Sequence, residues 1–209
     1  MTATYKDDES FFATVFPPFI HYGFCVKNWF ATSGISKFRF IRDEECERQF
    51  WNLEQINGMY PGIKTITIVV NPWSRMKYAY DSLCYMKQHN DNTYFDSDLL
   101  SGIPLDKFKN FIAALPDMVP VDPFWFSLAT PLNRWIEYND NGVMRQVDYI
   151  LREGHIAEDF KPIQDFFCSG YTLDAPSTTL DYRKFYTKST ASQVEKIFQE
   201  EIVRFDHSF

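Results

Sequence analysis

The chain has 209 residues, enough for one domain with a sizeable apolar core, and its 45% hydrophobic and 18% aromatic content excludes intrinsic disorder. A formal net charge of −7, with no basic tract to neutralise phosphates, excludes broad binding to nucleic acid, so an anionic ligand has to be held by a local cluster of cations. No apolar run reaches the length of a membrane span, and Lys6-Asp7-Asp8-Glu9 lacks the basic-then-apolar order of a signal peptide, so the expectation is a soluble, cytoplasmic protein.

Residues 1–18 read as a polar arm ending in an aromatic patch, Phe11, Phe12 and Phe16, closed by Pro17-Pro18, with a single α/β domain over 19–209. Phe19 to Val26 reads as a first strand, and Lys27 to Gly34 as a loop of small and polar residues carrying one lysine. A strand followed by such a loop has the parts of a phosphate cradle: an ammonium for charge, with hydroxyls and backbone N–H groups for the oxygens. It is not the Walker pattern Gly-x-x-x-x-Gly-Lys-(Ser/Thr), which occurs nowhere in the chain. A helix is expected over Arg42 to Ile56 with Cys46, Phe50, Leu53 and Ile56 on one face, followed by turns at Asn57-Gly58 and Pro61-Gly62.

The run Thr65-Ile66-Thr67-Ile68-Val69-Val70 is β-branched and without polar alternation beyond the threonines, the pattern of a strand buried on both faces in a parallel sheet. Pro72 cannot donate to a sheet ladder but suits the first turn of a helix, so Asn71-Pro72 marks a strand-to-helix corner. Met76, Ala79, Tyr80, Leu83 and Cys84 then form one apolar helical stripe. Arg75 sits in the first turn of that helix, where a cation is favourable only if an anion joins it. An alternative reading has Arg75 bracing the corner internally.

Leu105 to Leu115 reads as a short helix through Phe108, Phe111 and Ile112, with Pro116 as its breaker. Phe124 to Ile136 is aromatic and irregular, Asn139-Asp140-Asn141-Gly142 is a turn, and Gln146 to Leu151 is a strand ending at Arg152-Glu153. A helix follows through Ile156, Phe160, Ile163 and Phe167. The last helix is expected over Thr190 to Phe205, opened by a Thr190–Gln193 capping box, with Val194, Ile197, Phe198, Ile202 and Phe205 buried. Strands alternating with helices imply an α/β fold with a central, mainly parallel sheet flanked by helices. Four scattered cysteines, Cys25, Cys46, Cys84 and Cys168, fit free thiols best, with a disulfide as the alternative that an even count allows, and His and Cys never cluster at metal-ligand spacing, so no metal site is expected.

In this order the elements resemble the carbohydrate-type sulfotransferases, a P-loop-like fold also found in bacteria and their viruses, over about Phe19 to Phe209. Lys27-Asn28-Trp29-Phe30-Ala31-Thr32-Ser33 resembles the family's Pro-Lys-(Asn/Thr)-x-x-Thr-Ser loop, with Val26 at the proline and one extra residue before Thr32. Asn71-Pro72-Trp73-Ser74-Arg75 with Tyr80 resembles its Arg-(Asn/Asp)-Pro-(Trp/Tyr)-x-Arg-x-x-Ser-x-Tyr segment, with Val70 at the arginine and Tyr78 at the serine. Val147 to Glu153 with Asp159-Phe160 resembles the family's strand and corner, Thr130 to Ile136 its acceptor-side segment, and Tyr182-Arg183 with Tyr186 its lid before the closing aromatic residues.

The resemblance implies transfer of a sulfuryl group from 3′-phosphoadenosine 5′-phosphosulfate (PAPS) to a hydroxyl or amine of a sugar or small-molecule acceptor. It implies donor contacts from Lys27, Asn28, Thr32, Ser33, Arg75 and Arg183, with Lys27 facing the bridging oxygen of the leaving phosphate. Lys77 and Lys184 are further cations for the position that Val70 and Tyr78 leave without the family's groups. His21 leads the candidates for the general base, beside His155, Glu44 and Glu153. The alternative is a non-catalytic relative that keeps the scaffold as a binding module. A nucleotide kinase is disfavoured by the missing Walker lysine.

Overall fold

The central strand is the one its composition singles out. In this computed structural model, which describes residues 12–14, 52–59, 61–62, 64–89, 102–118, 130–153, 155–163 and 181–209, β2 (Lys64–Val69) lies between β1 (Phe12–Thr14) and β5 (Tyr149–Arg152), parallel to both. Both edges of β2 are paired, and Thr65 through Val70, whose side chains alternate between its two faces, are all buried. Register is pinned at the strand's start, where Asp148 accepts from Lys64 Nζ (2.8 Å) and from the N–H and hydroxyl of Thr65 (both 2.9 Å). β1 falls within the stretch read as an arm, because its main chain pairs Phe12 with Lys64 and Thr14 with Ile66. The expected strand at 19–26 lies outside the described residues.

The chain leaves β2 through Asn71 into α2 (Pro72–His89), as the Asn-Pro corner requires. Asn71 caps this helix: its Oδ1 accepts from the N–H of Trp73 (3.0 Å) and its carbonyl from the N–H of Arg75 (2.8 Å). Met76, Ala79 and Leu83 are fully buried against Phe111, Ile112 and Leu115 of α3 (Phe108–Met118) and Val194 of α6 (Lys188–Ile197). This helical layer holds an apolar cluster of eleven buried residues.

Several local expectations shift. Only the end of the helix expected at 42–56 is described: α1 (Leu53–Met59) is capped by Asn52, whose Oδ1 accepts from the N–H of Gln55 while Gln55 Oε1 accepts from the N–H of Asn52. The helix therefore runs through Asn57-Gly58 in place of the expected turn; Leu53 and Ile56, both buried, offset the roughly 1 kcal/mol that an interior glycine costs. The turn is at Pro61-Gly62, with Gly62 at φ 83°. Asn139 to Gly142 closes an antiparallel hairpin of β3 (Glu137–Asp140) and β4 (Val143–Gln146), with Asn141 at φ 52° and Gly142 at φ 89°, the positive pair a tight hairpin turn needs.

A short helix, α4 (Asn133–Ile136), precedes the hairpin, and α5 (Ile156–Phe160) follows β5. The C-terminal helix is two helices, α6 and α7 (Gln199–Phe205), divided at Phe198. Its capping box is Thr187 with Thr190, one turn earlier than expected, which releases Gln193 for another task. Pro116 does not end α3 but sits in its last turns, where it has no N–H to give the carbonyl of Ile112. Gln193 Nε2 donates to that carbonyl across the helix interface (2.9 Å), so the proline's missing bond is replaced from α6. Gln193→Leu is expected to cost about 1–3 kcal/mol in urea denaturation, because it leaves a buried carbonyl unpaired. Adding Pro116→Ala, which restores the N–H, is expected to return most of that loss.

Candidate functional site

The carboxyl ends of parallel strands, where the chain turns into helices, are the usual place for a ligand crevice. Here β2 and β5 end together: the N–H of Glu153 donates to the carbonyl of Val69 (2.8 Å), extending their ladder by one residue. A cleft of about 610 Å³, within the range of small-molecule sites, opens at this edge. Its floor is Asn71, Ser74 and Glu153, one side carries Arg152 and His155, another Tyr182 and Arg183, and the C-terminal residues Phe205–Ser208 form the remaining wall.

Glu153 is the most tightly placed of these groups. One carboxylate oxygen accepts from the N–H of Asn71 (3.0 Å), and the other faces the hydroxyl of Ser74 (3.4 Å) at the amino end of α2. Burial pushes its carboxyl above the ordinary range, outweighing these two donors, which pull it down. A carboxylate with raised affinity for protons, at the edge of an open cleft, is suited to accept one from a bound hydroxyl or amine. His207 contrasts with it. Burial, reinforced by the Arg75 charge and only partly opposed by Asp206, lowers its imidazole to about 4, and its Nε2 is buried without a hydrogen-bond partner among the described residues.

The two arginines lining the cleft differ in commitment. Arg152 is clamped by Asp159, which accepts from its Nε (3.0 Å), its Nη2 (2.7 Å) and its backbone N–H (2.8 Å). Arg183 projects from a 3-10 turn, Tyr182–Phe185, with its guanidinium 5.3 Å from the Tyr182 ring, and makes no ion pair among the described residues. His155 is exposed at the mouth, 3.5 Å from Glu158.

Of the residues singled out from sequence, Arg183, His155 and Glu153 meet at this cleft. Lys27, Asn28, Thr32, Ser33, His21 and Glu44 lie outside the described residues. Arg75 turns inward, 2% exposed: its Nη1 and Nη2 donate to the two oxygens of Glu201 (2.8 and 2.9 Å), and the Phe198 ring lies 4.7 Å beneath it. The anion that joins it is thus a side chain of this chain. Val70 is buried and adds no charge, while Tyr78 is half-buried. Lys77 pairs with Asp81 and covers the Phe185 ring at 4.0 Å, away from the cleft lining.

Glu201 is the group that the sequence pattern does not single out, while Asn71, expected only as the strand-to-helix corner, also donates its N–H to Glu153. Glu201 occupies a buried place beside the stripe position assigned to Ile202, and a lone acid next to an apolar stripe carries no mark of its partner. Among the described residues no group of His, Cys, Asp and Glu is arranged to hold a metal ion, and no helix is long and apolar enough to cross a membrane. No family model, no curated protein and no solved structure matches the chain.

Glu201→Gln is expected to destabilise the protein by about 3–5 kcal/mol by leaving a buried guanidinium uncompensated. The double change Arg75→Met/Glu201→Leu is expected to cost less than that single one, as read from urea midpoints. For His207, the folded imidazole binds its proton less readily than the unfolded one at 6.5. The stability this contributes is present above pH 6.5 and is lost as pH falls toward about 4. His207→Gln is expected to flatten that acid limb in unfolding curves between pH 7 and 4.

Proposed function

We propose that the protein is a sulfotransferase with a P-loop-like α/β fold, moving a sulfuryl group from PAPS to a hydroxyl or amine of a sugar or small-molecule acceptor. The observation that carries this reading is the coincidence of the cleft with the Asn71-Pro72 corner: the segment that resembles the family's donor loop forms the floor of the crevice at the ends of β2 and β5. Arg183, on the segment that resembles the family's lid, faces the same space.

On this reading Lys27, with Asn28, Thr32, Ser33 and the N–H groups of their loop, binds the phosphosulfate end of the donor. Lys27 stabilises the negative charge that builds on the bridging oxygen as the sulfur–oxygen bond to the leaving phosphate breaks. The acceptor oxygen or nitrogen bonds to sulfur in line with that departure, and Glu153 or His21 takes its proton. Arg183 closes on the donor's second phosphate. Arg75 acts indirectly, holding the corner by its pair with Glu201.

A second reading, a non-catalytic binding module on the same scaffold, is favoured by one observation. Arg75 is engaged by Glu201 and Val70 is apolar, so Arg183 is the lining arginine without an acidic partner among the described residues.

Calorimetry with adenosine 3′,5′-bisphosphate decides between them. Binding is expected, weakened about tenfold by Arg183→Ala and by Lys27→Ala, the scale of one charge-assisted contact. No heat at millimolar ligand would overturn the sulfotransferase reading. Binding without turnover of any hydroxyl or amine acceptor would favour the module.

A further inference from the structure

The wall formed by the C-terminal residues is attached lightly for a segment that shapes a site. α7 ends at Asp206, whose φ of 53° reverses the chain in the left-handed region, and the N–H of His207 caps the carbonyl of Ile202 (3.0 Å). Beyond that reversal the segment is held by Asn71 Nδ2 donating to the carbonyl of Ser208 (2.9 Å) and by the ring of Phe209. That ring meets Trp73 at 5.5 Å, Tyr186 at 5.6 Å and Tyr182 at 6.2 Å, each edge-on.

The Arg183 turn is held unevenly. Its far end is anchored: Phe185 lies under Lys77, and Tyr186 donates its hydroxyl to the carbonyl of Trp73 (2.8 Å) and packs edge-on to Phe108 at 4.8 Å. Its cleft end has no comparable hydrogen bond among the described residues: Tyr182 packs against the apolar cluster half-buried, and its ring partners there are Tyr186, Phe209 and the neighbouring Arg183. Phe209 therefore touches α2, the Arg183 turn and the wall at one point. It remains 45% exposed, so this junction is the sort of marginal contact that opens locally without global unfolding.

We propose that Phe209 is a latch that docks the wall Asp206–Ser208 and the Arg183 turn onto α2 as one unit, so that both sides of the cleft open and close together. A ligand that needs Arg183 on one side and the wall on the other binds the docked state alone and is linked to docking. The coupling itself is a property of the free protein. Its link to the donor nucleotide rests on the reading under Proposed function.

The test is NMR on the full chain with two reporters. The His207 imidazole titration reports the wall, because undocking exposes a ring now set between Arg75 and Asp206. Exchange of the Tyr186 N–H, bonded to the carbonyl of Arg183 (3.1 Å), reports the turn. In Phe209→Ala the His207 midpoint is expected to rise toward 6.5, the ordinary histidine value, and Tyr186 exchange to quicken about tenfold or more, the scale of losing several edge-on ring contacts. Phe209→Tyr is expected to keep both at wild-type values. Movement of one reporter without the other, or of neither, would overturn the latch. Adenosine 3′,5′-bisphosphate is expected to slow Tyr186 exchange in the wild type and to bind the Ala variant about tenfold more weakly. Failure of that ligand to bind at all removes the donor reading, and the ligand-free reporters still decide the latch.

Discussion

The arrangement depends on one buried ion pair. The Glu201 carboxylate takes both terminal nitrogens of Arg75 and also accepts from the N–H of Leu132 (2.7 Å), so α7, the first turn of α2 and the turn before α4 converge on a single group. With Arg75 2% exposed and Glu201 wholly buried, neither charge has water to fall back on. Such a pair adds little net stability over an apolar replacement, but any packing that separates its members leaves a bare charge inside the protein. Its contribution is to restrict the ways α7 can sit on α2. Since His207 and Ser208 follow α7 directly, that restriction brings the chain's last residues to the mouth of the strand crevice.

The same frame explains why the cleft mixes firm and loose parts. Its floor belongs to the sheet and to the amino end of α2, and the bonds among Val69, Asn71 and Glu153 make it continuous with the β2–β5 ladder. Its sides are a 3-10 turn and a chain reversal held by rings. Desolvation pushes Glu153 at the floor and His207 in the wall in opposite senses, Glu153 toward keeping a proton and His207 toward shedding one. Both therefore favour their neutral forms more than free side chains do. Arg183, over the Tyr182 ring, then stands out as a cation facing the cleft.

What was legible in the sequence was what depends on neighbours along the chain. The buried strand at Thr65 to Val70, the Asn-Pro corner, the stripe of Met76, Ala79 and Leu83 and the Asn141-Gly142 turn are each set by β-branching, ring geometry or periodicity. The Arg152-Glu153 corner was visible as the end of a short strand, and Arg183 as a cation ahead of a capped helix. Misreadings came where a distant group overrode a local rule. Pro116 stays in α3 because Gln193 supplies the missing bond, and Asn57-Gly58 stays helical because the Asn52–Gln55 cap and two buried side chains outweigh one glycine.

Composition and spacing alone therefore determined the layered α/β character, the parallel central strand and the place where it turns into α2, since these follow from which residues avoid water and which backbones can bend. Tertiary structure decided what those residues do. In the first turn of a helix Arg75 is a cation in search of an anion, and whether that anion is a ligand or Glu201, 126 positions away, depends only on where α7 packs. The proton affinities of Glu153 and His207 are likewise set by burial and by charges from other elements, quantities that exist only once the chain has folded.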